Sequence, residues 1–244
     1  MAAKAKSQSA ADIAWPDFMT AIVNRWGAPN SARKQDRSKR REQEILRAAQ
    51  HVFARDGVAR SRIGDVAAAA GMPVSTIYEY YSSKEELAYA VPIANVARFF
   101  AEYQQAAKDK KTAHARLRLY LWLAADFARR NPEWARLLYL EVWPSVLLSA
   151  SRVRHCADDY VRVILHLIRQ GEANREWDAG PNPYETAAIL VGSVNQVIIT
   201  ALLYGRPKNL TKGAESIIDR VMLLLQHPQP RKAARRRPRR KTAA

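Results

Sequence analysis

Residues 45–87 read ILRAAQHVFARDGVARSRIGDVAAAAGMPVSTIYEYYSSKEEL, and this stretch decides the fold. Ile45, Ala48, Ala49, Val52 and Phe53 recur at the spacing of one helical face, and Gly57 follows as a stop. Ser61 then offers an N-cap for a second helix carrying Ile63, Val66, Ala67 and Ala70 on one side, ended by Gly71. Pro73 suits the first turn of a third, short helix near Val74–Tyr80, because the N–H it lacks would be unpaired there. Ser83 and Glu86 make a capping box ahead of Leu87 and start a fourth helix. Helix, glycine turn, short helix is the geometry of a helix-turn-helix, whose second helix sits in the major groove of DNA.

The residues Ile45, Leu46, Ala48, Ala49, Phe53 and Gly57, then Ser61, Asp65-Val66-Ala67 and Ala70-Gly71, then Thr76-Ile77-Tyr78, Tyr80-Tyr81, Ser83-Lys84-Glu85 and Leu87, fall at family spacings throughout. The stretch resembles the N-terminal domain of TetR-family regulators. That resemblance implies that Thr76, Tyr78 and Lys84 touch phosphates while Val74, Ser75 and Glu79 face the groove. Lys84 fits on physical grounds as well, since a cation at a helix N-terminus opposes the helix dipole and an external phosphate gives it a reason to be there. Arg62, in the first turn of the second helix, is placed to reach a phosphate or a guanine edge. Val74 departs from the polar residue frequent in the family, which points to contact with a thymine methyl.

Working outward, the charge supports a polyanionic partner. The chain has 244 residues, 40 Lys and Arg against 23 Asp and Glu, and a net charge of +17. Cations of this kind release counterions on meeting phosphates. The excess sits mainly in two runs. Arg33, Lys34, Arg37, Lys39, Arg40 and Arg41 precede the first helix as an arm suited to the DNA backbone or minor groove, and Arg231–Lys241 forms a basic tail.

A hydrophobic content of 48% with only 9 glycines, and few runs of β-branched residues, predicts an all-α protein. The single cysteine, Cys156, excludes an internal disulfide framework, and His155 beside it makes no metal site by itself. No metal, cofactor or catalytic motif is read, so the chain is not expected to be an enzyme. With no leader-like start and no membrane span read, the expected location is the cytoplasm, on the nucleoid.

The expected organisation is an extension over residues 1–38 with a short amphipathic helix (Trp15, Phe18, Ile22, Trp26), a helix-turn-helix domain over 39–87, a helical effector and dimerisation domain over 88–227, and the tail over 228–244. The resemblance implies a homodimer on a palindromic double-stranded operator, with two helices pairing into a four-helix bundle and a small-molecule effector pocket. The long helices near Ser151–Asn174 and Tyr184–Tyr204 are the candidates for the bundle. Phe99, Phe100, Tyr103, Trp122, Phe127, Trp134, Tyr139 and Trp143 are the pocket candidates, for a hydrophobic effector. The expected function is a sequence-specific repressor released by that effector. The alternatives are an architectural, weakly specific DNA binder, or a helical dimer of the same fold that binds lipid or a protein partner.

Overall fold

The computed structural model describes residues 14–26, 34–144, 151–177 and 182–226, and among these there are helices and no strands. The helices are α1 (Trp15–Trp26), α2 (Lys34–Asp56), α3 (Ile63–Ala70), α4 (Val74–Tyr80), α5 (Lys84–Ala106), α6 (Ala113–Arg130), α7 (Pro132–Arg136), α8 (Ser151–Ala173), α9 (Pro183–Tyr204) and α10 (Leu210–Gln226). A π-helical stretch, Leu137–Val142, continues α7. Arg33 and the tail over 228–244 lie outside the described residues.

The apolar residues sort into two cores. The smaller holds Ile45, Ala49, Phe53, Ile63, Val66, Ala67, Ile77 and Tyr81 from α2–α4, closed by Leu87 and Val91 of α5. This is the periodicity read from the sequence, now facing inward. Gly71, at φ +65°, makes the left-handed turn between α3 and α4, where a side chain would be strained. The boundary expected at residue 87 falls inside α5, which runs without a break from the small core into the larger one.

Three local features differ from the sequence reading. Arg62, not Ser61, is the N-cap of α3; the Ser61 hydroxyl donates back to the Gly57 carbonyl at 2.6 Å, and Asp65 accepts the Arg62 N–H at 2.8 Å. A buried hydroxyl must find its partner nearby, and the preceding turn supplied one. Pro73 is the N-cap of α4 and stands just outside its first turn. At α5, Ser83 accepts the Glu86 N–H as expected, but the Glu86 carboxylate accepts from the N–H and hydroxyl of Ser82.

The larger core is built from α1, α5, α6, α7 with its π-helical continuation, and α8–α10. α1 belongs to it fully: Trp15, Phe18, Met19 and Ile22 are buried, and the Phe18 ring stacks on His166 at 4.1 Å. Its end is pinned to the buried Asp159, which accepts from Trp26 Nε1 at 2.9 Å and from Arg25 at 3.3 Å.

The exposed large apolar residues of the long helices lie on α9 (Tyr184, Ile189, Leu203, Tyr204) and α10 (Leu223, Leu224). Among the described residues of α8, the exposed ones are Arg154, His155, Asp158, Arg162 and Ala173. The sequence expectation names α8 and α9 for the bundle, and the exposed apolar surface lies on α9 and α10. α9 is long and apolar enough to cross a membrane by composition, yet it packs here against α6, α8 and α10.

Candidate functional site

The candidate DNA-reading face begins with α4. Ile77 is its only fully buried residue, so the helix is anchored by one side chain and presents the rest outward. Val74 and Tyr78 are 42% and 53% exposed. Ser75 and Glu79 are exposed beside them, and Thr76 is half-buried. Arg62, at the start of α3, is exposed as well.

The basic run expected as an arm is helical from Lys34, forming the first turns of α2. Ser38 Oγ and the Tyr80 hydroxyl lie 3.1 Å apart, and the Tyr81 hydroxyl donates to Glu42 at 3.2 Å. These contacts hold the start of α2 beside the end of α4. Arg37, Arg40 and Arg41 are exposed around that junction.

Lys84 has a role that the sequence did not reveal. Its ammonium donates to the Ala59 and Ser61 carbonyls at 3.2 and 3.1 Å, tying the start of α5 to the loop before α3. An ammonium has three donors, so this bracing leaves capacity for a phosphate. The spacing of Lys84 to that loop in sequence is too long for any local pattern to signal.

The second candidate site lies in the larger core. An apolar pocket, partly open to solvent, is bounded on α5 by Pro92, Ile93, Val96 and Phe99. α7 and its π-helical continuation add Trp134, Leu138 and Tyr139, followed by Trp143. Ala124, Cys156, Ala157, Tyr160 and Asn195 close it from α6, α8 and α9. Of the expected aromatic residues, Phe99, Trp134, Tyr139 and Trp143 line this space. Phe100, Tyr103 and Phe127 are buried elsewhere in the core and Trp122 packs at its edge, none of them lining the pocket.

Burial sets the chemistry of the lining. It pushes the Cys156 thiol up to about 12, with Asp159 adding to the effect, so the thiol stays protonated and unreactive. The phenols of Tyr139 and Tyr160 are likewise held neutral by desolvation. The pocket therefore presents no charge. Among the described residues no cluster of His, Cys, Asp or Glu suits a metal.

The segment 132–142 joins the two sites. Trp134, Leu138 and Tyr139 face the pocket, while Leu137 and Val142 are buried in the small core with Phe53 and Ile77. The Trp134 indole donates to the Pro92 carbonyl at 3.3 Å, His51 of α2 meets Glu133 at 2.9 Å, and a Cβ on Gly57 would come within 3.3 Å of the Glu141 carboxylate. The π-helical winding changes the register of side chains along the segment, which lets adjacent residues serve opposite sides.

Comparison with known proteins agrees with this fold. Residues 45–91 match the family model for bacterial regulatory proteins of the tetR family. The chain is 22% identical over 186 residues to the fatty acid metabolism regulator protein of Bacillus subtilis, covering 76% of this chain and 95% of that protein. It is 30% identical over 101 residues to the nucleoid occlusion factor SlmA of Pasteurella multocida, covering 51% of that protein. Among solved structures, the transcriptional regulator FadR of Bacillus subtilis, in complex with stearoyl-CoA, superposes with a TM-score of 0.69 at 21% identity, over 75% of this chain and 97% of that one. The fatty acid degradation regulator FadR of Bacillus halodurans gives 0.70 at 17% identity, over 77% and 97%.

Proposed function

From the premise that this chain is a DNA-binding regulator with a tetR-family reading domain on a TetR-like fold, we propose that it is a repressor of a palindromic operator, released when an apolar effector of the acyl-CoA class fills the pocket. The observation that carries the reading is the segment 132–142, whose two sides belong to the pocket and to the small core. A ligand that displaces Trp134, Leu138 or Tyr139 also displaces Leu137 and Val142, and with them the seat of α4. A ligand shifts such an equilibrium by its differential affinity for the two arrangements.

In this reading Tyr78, Thr76 and Lys84 hold phosphates, Val74, Ser75 and Glu79 face the major groove, and Arg62, Arg40 and Arg41 add backbone or base contacts. The protein acts as a homodimer through the apolar residues of α9 and α10, since one short reading helix buries too little surface for a specific site. Such a dimer resides on the nucleoid. The acyl-CoA class is favoured by the uncharged apolar lining, with the stearoyl-CoA complex of the Bacillus subtilis regulator as precedent.

The test has two stages. Selection of genomic fragments by the purified protein at physiological salt should yield a palindromic site near few promoters; uniform, salt-sensitive recovery of all fragments would replace this reading with that of a weakly specific binder. Anisotropy of the labelled site should then fall on adding stearoyl-CoA and not on adding CoA. Unchanged binding with both would remove the acyl-CoA effector from the reading.

A further inference from the structure

The pocket is apolar except at two points that lack what they need. The Tyr160 hydroxyl and the Asn195 side-chain oxygen are both buried and have no hydrogen-bond partner among the described residues. Both residues line the pocket, from α8 and α9 respectively. A buried polar atom left unpaired is costly, and unexplained instances in a folded protein tend to mark a missing partner. Two of them occur on residues that line one cavity, in a lining otherwise without polar demand.

The chemistry of that partner is constrained. Tyr160 is kept protonated by burial, so its oxygen carries a proton to donate. The carboxamide oxygen of Asn195 can only accept. One group that accepts from the first and donates to the second would satisfy both. A saturated chain does neither, and a thioester carbonyl only accepts. A carboxylate accepts but cannot donate, and no Lys or Arg lines the pocket to pair its charge. A hydroxyl does both.

We propose that the ligand of this pocket carries a hydroxyl within its buried apolar part, as in a hydroxylated acyl chain, held by the Tyr160 hydroxyl and the Asn195 side-chain oxygen. The inference rests on the effector reading above. It turns a general pocket for apolar chains into one that selects among them, because a site built to bond a hydroxyl disfavours the analogue without it.

The experiment titrates the full-length protein with dodecanoyl-CoA and with its 2-, 3- and 12-hydroxy forms, followed by tryptophan fluorescence, and repeats the series with Tyr160→Phe and Asn195→Leu. One hydroxy isomer should bind about tenfold or more tighter than the saturated chain. Tyr160→Phe should erase that preference while leaving the saturated chain bound within about twofold, which also shows that the pocket is intact. Equal affinity for all four thioesters, as expected if a water satisfies the two atoms, overturns the inference and leaves the acyl-CoA reading standing. Preference retained in both variants overturns it as well. If no thioester binds, the acyl-CoA reading fails on its own, and 4-propylphenol against propylbenzene decides the inference: tighter phenol binding lost in Tyr160→Phe upholds it, and equal binding overturns it.

Discussion

The two cores of this molecule treat space in opposite ways. Around Phe53 and Ile77 apolar side chains from four helices close on one another, and the hydroxyls at the margin, Ser61 and Tyr81, each reach an oxygen. In the larger core, the side chains of α5, α8 and the segment 132–142 stop short of meeting. They leave a pocket with an orphaned hydroxyl and an orphaned amide oxygen on its wall. Close packing is the ordinary state of a protein interior. A filled core fixes one shape, which a reading helix held by a single buried residue needs. An unfilled one keeps a second arrangement within reach of a ligand.

The comparison is broken most forcefully by emptying the filled core. Phe53→Ala removes a side chain that is 1% exposed, and should lower stability by about 3–5 kcal/mol, read as a fall in the melting temperature of the reading domain and a loss of operator binding. Filling the empty core should do the reverse. Ala157→Leu adds carbons beside the pocket, and with space to take them the cost in the same melt should stay at or below the low end of the roughly 1–3 kcal/mol typical of overpacking a filled core. Operator binding should persist and its response to effector should be lost. A large destabilisation by this variant would mean that the space is not free.

Smaller effects sharpen the comparison at the edges. Asp65→Ala removes the acceptor of the Arg62 N–H at the start of α3, and should cost about 1 kcal/mol by denaturant titration. His51→Ala breaks a pairing with Glu133 that is largely exposed on both sides, and should change stability by less than about 1 kcal/mol. Its informative readout is the effector concentration needed for half-release, since the pair bridges α2 and α7. An unchanged value would assign the coupling to Leu137 and Val142 alone.

Much of the reading domain was legible because its determinants are local. Ile45 to Phe53, Ile63 to Ala70 and Gly71 declare helices and a turn through spacings of a few residues, and a short helix that buries only Ile77 leaves few alternatives for its other side chains. The misplaced N-cap shows the limit of that legibility. Ser61 and Arg62 both precede the helix, and which one caps it depended on Gly57 offering a carbonyl to the serine. The Lys84 contacts to Ala59 and Ser61 lay equally out of reach, because they join parts of the chain that only the packed domain brings together.

The sequence by itself determined an all-helical chain, the position of its helix-turn-helix, its basic charge and the residues that α4 turns outward. Tertiary structure alone decided that Phe99, Trp134, Tyr139 and Trp143 border a cavity while Phe100, Tyr103 and Phe127 fill the core. It alone docked α1 on Asp159 and His166, put the apolar outer residues on α9 and α10, and gave the segment 132–142 its two sides. The reason is physical. Helical periodicity is written in neighbouring residues, whereas an apolar side chain reads the same in sequence whether it meets another side chain, a partner helix or a void, and that difference is settled by residues far along the chain.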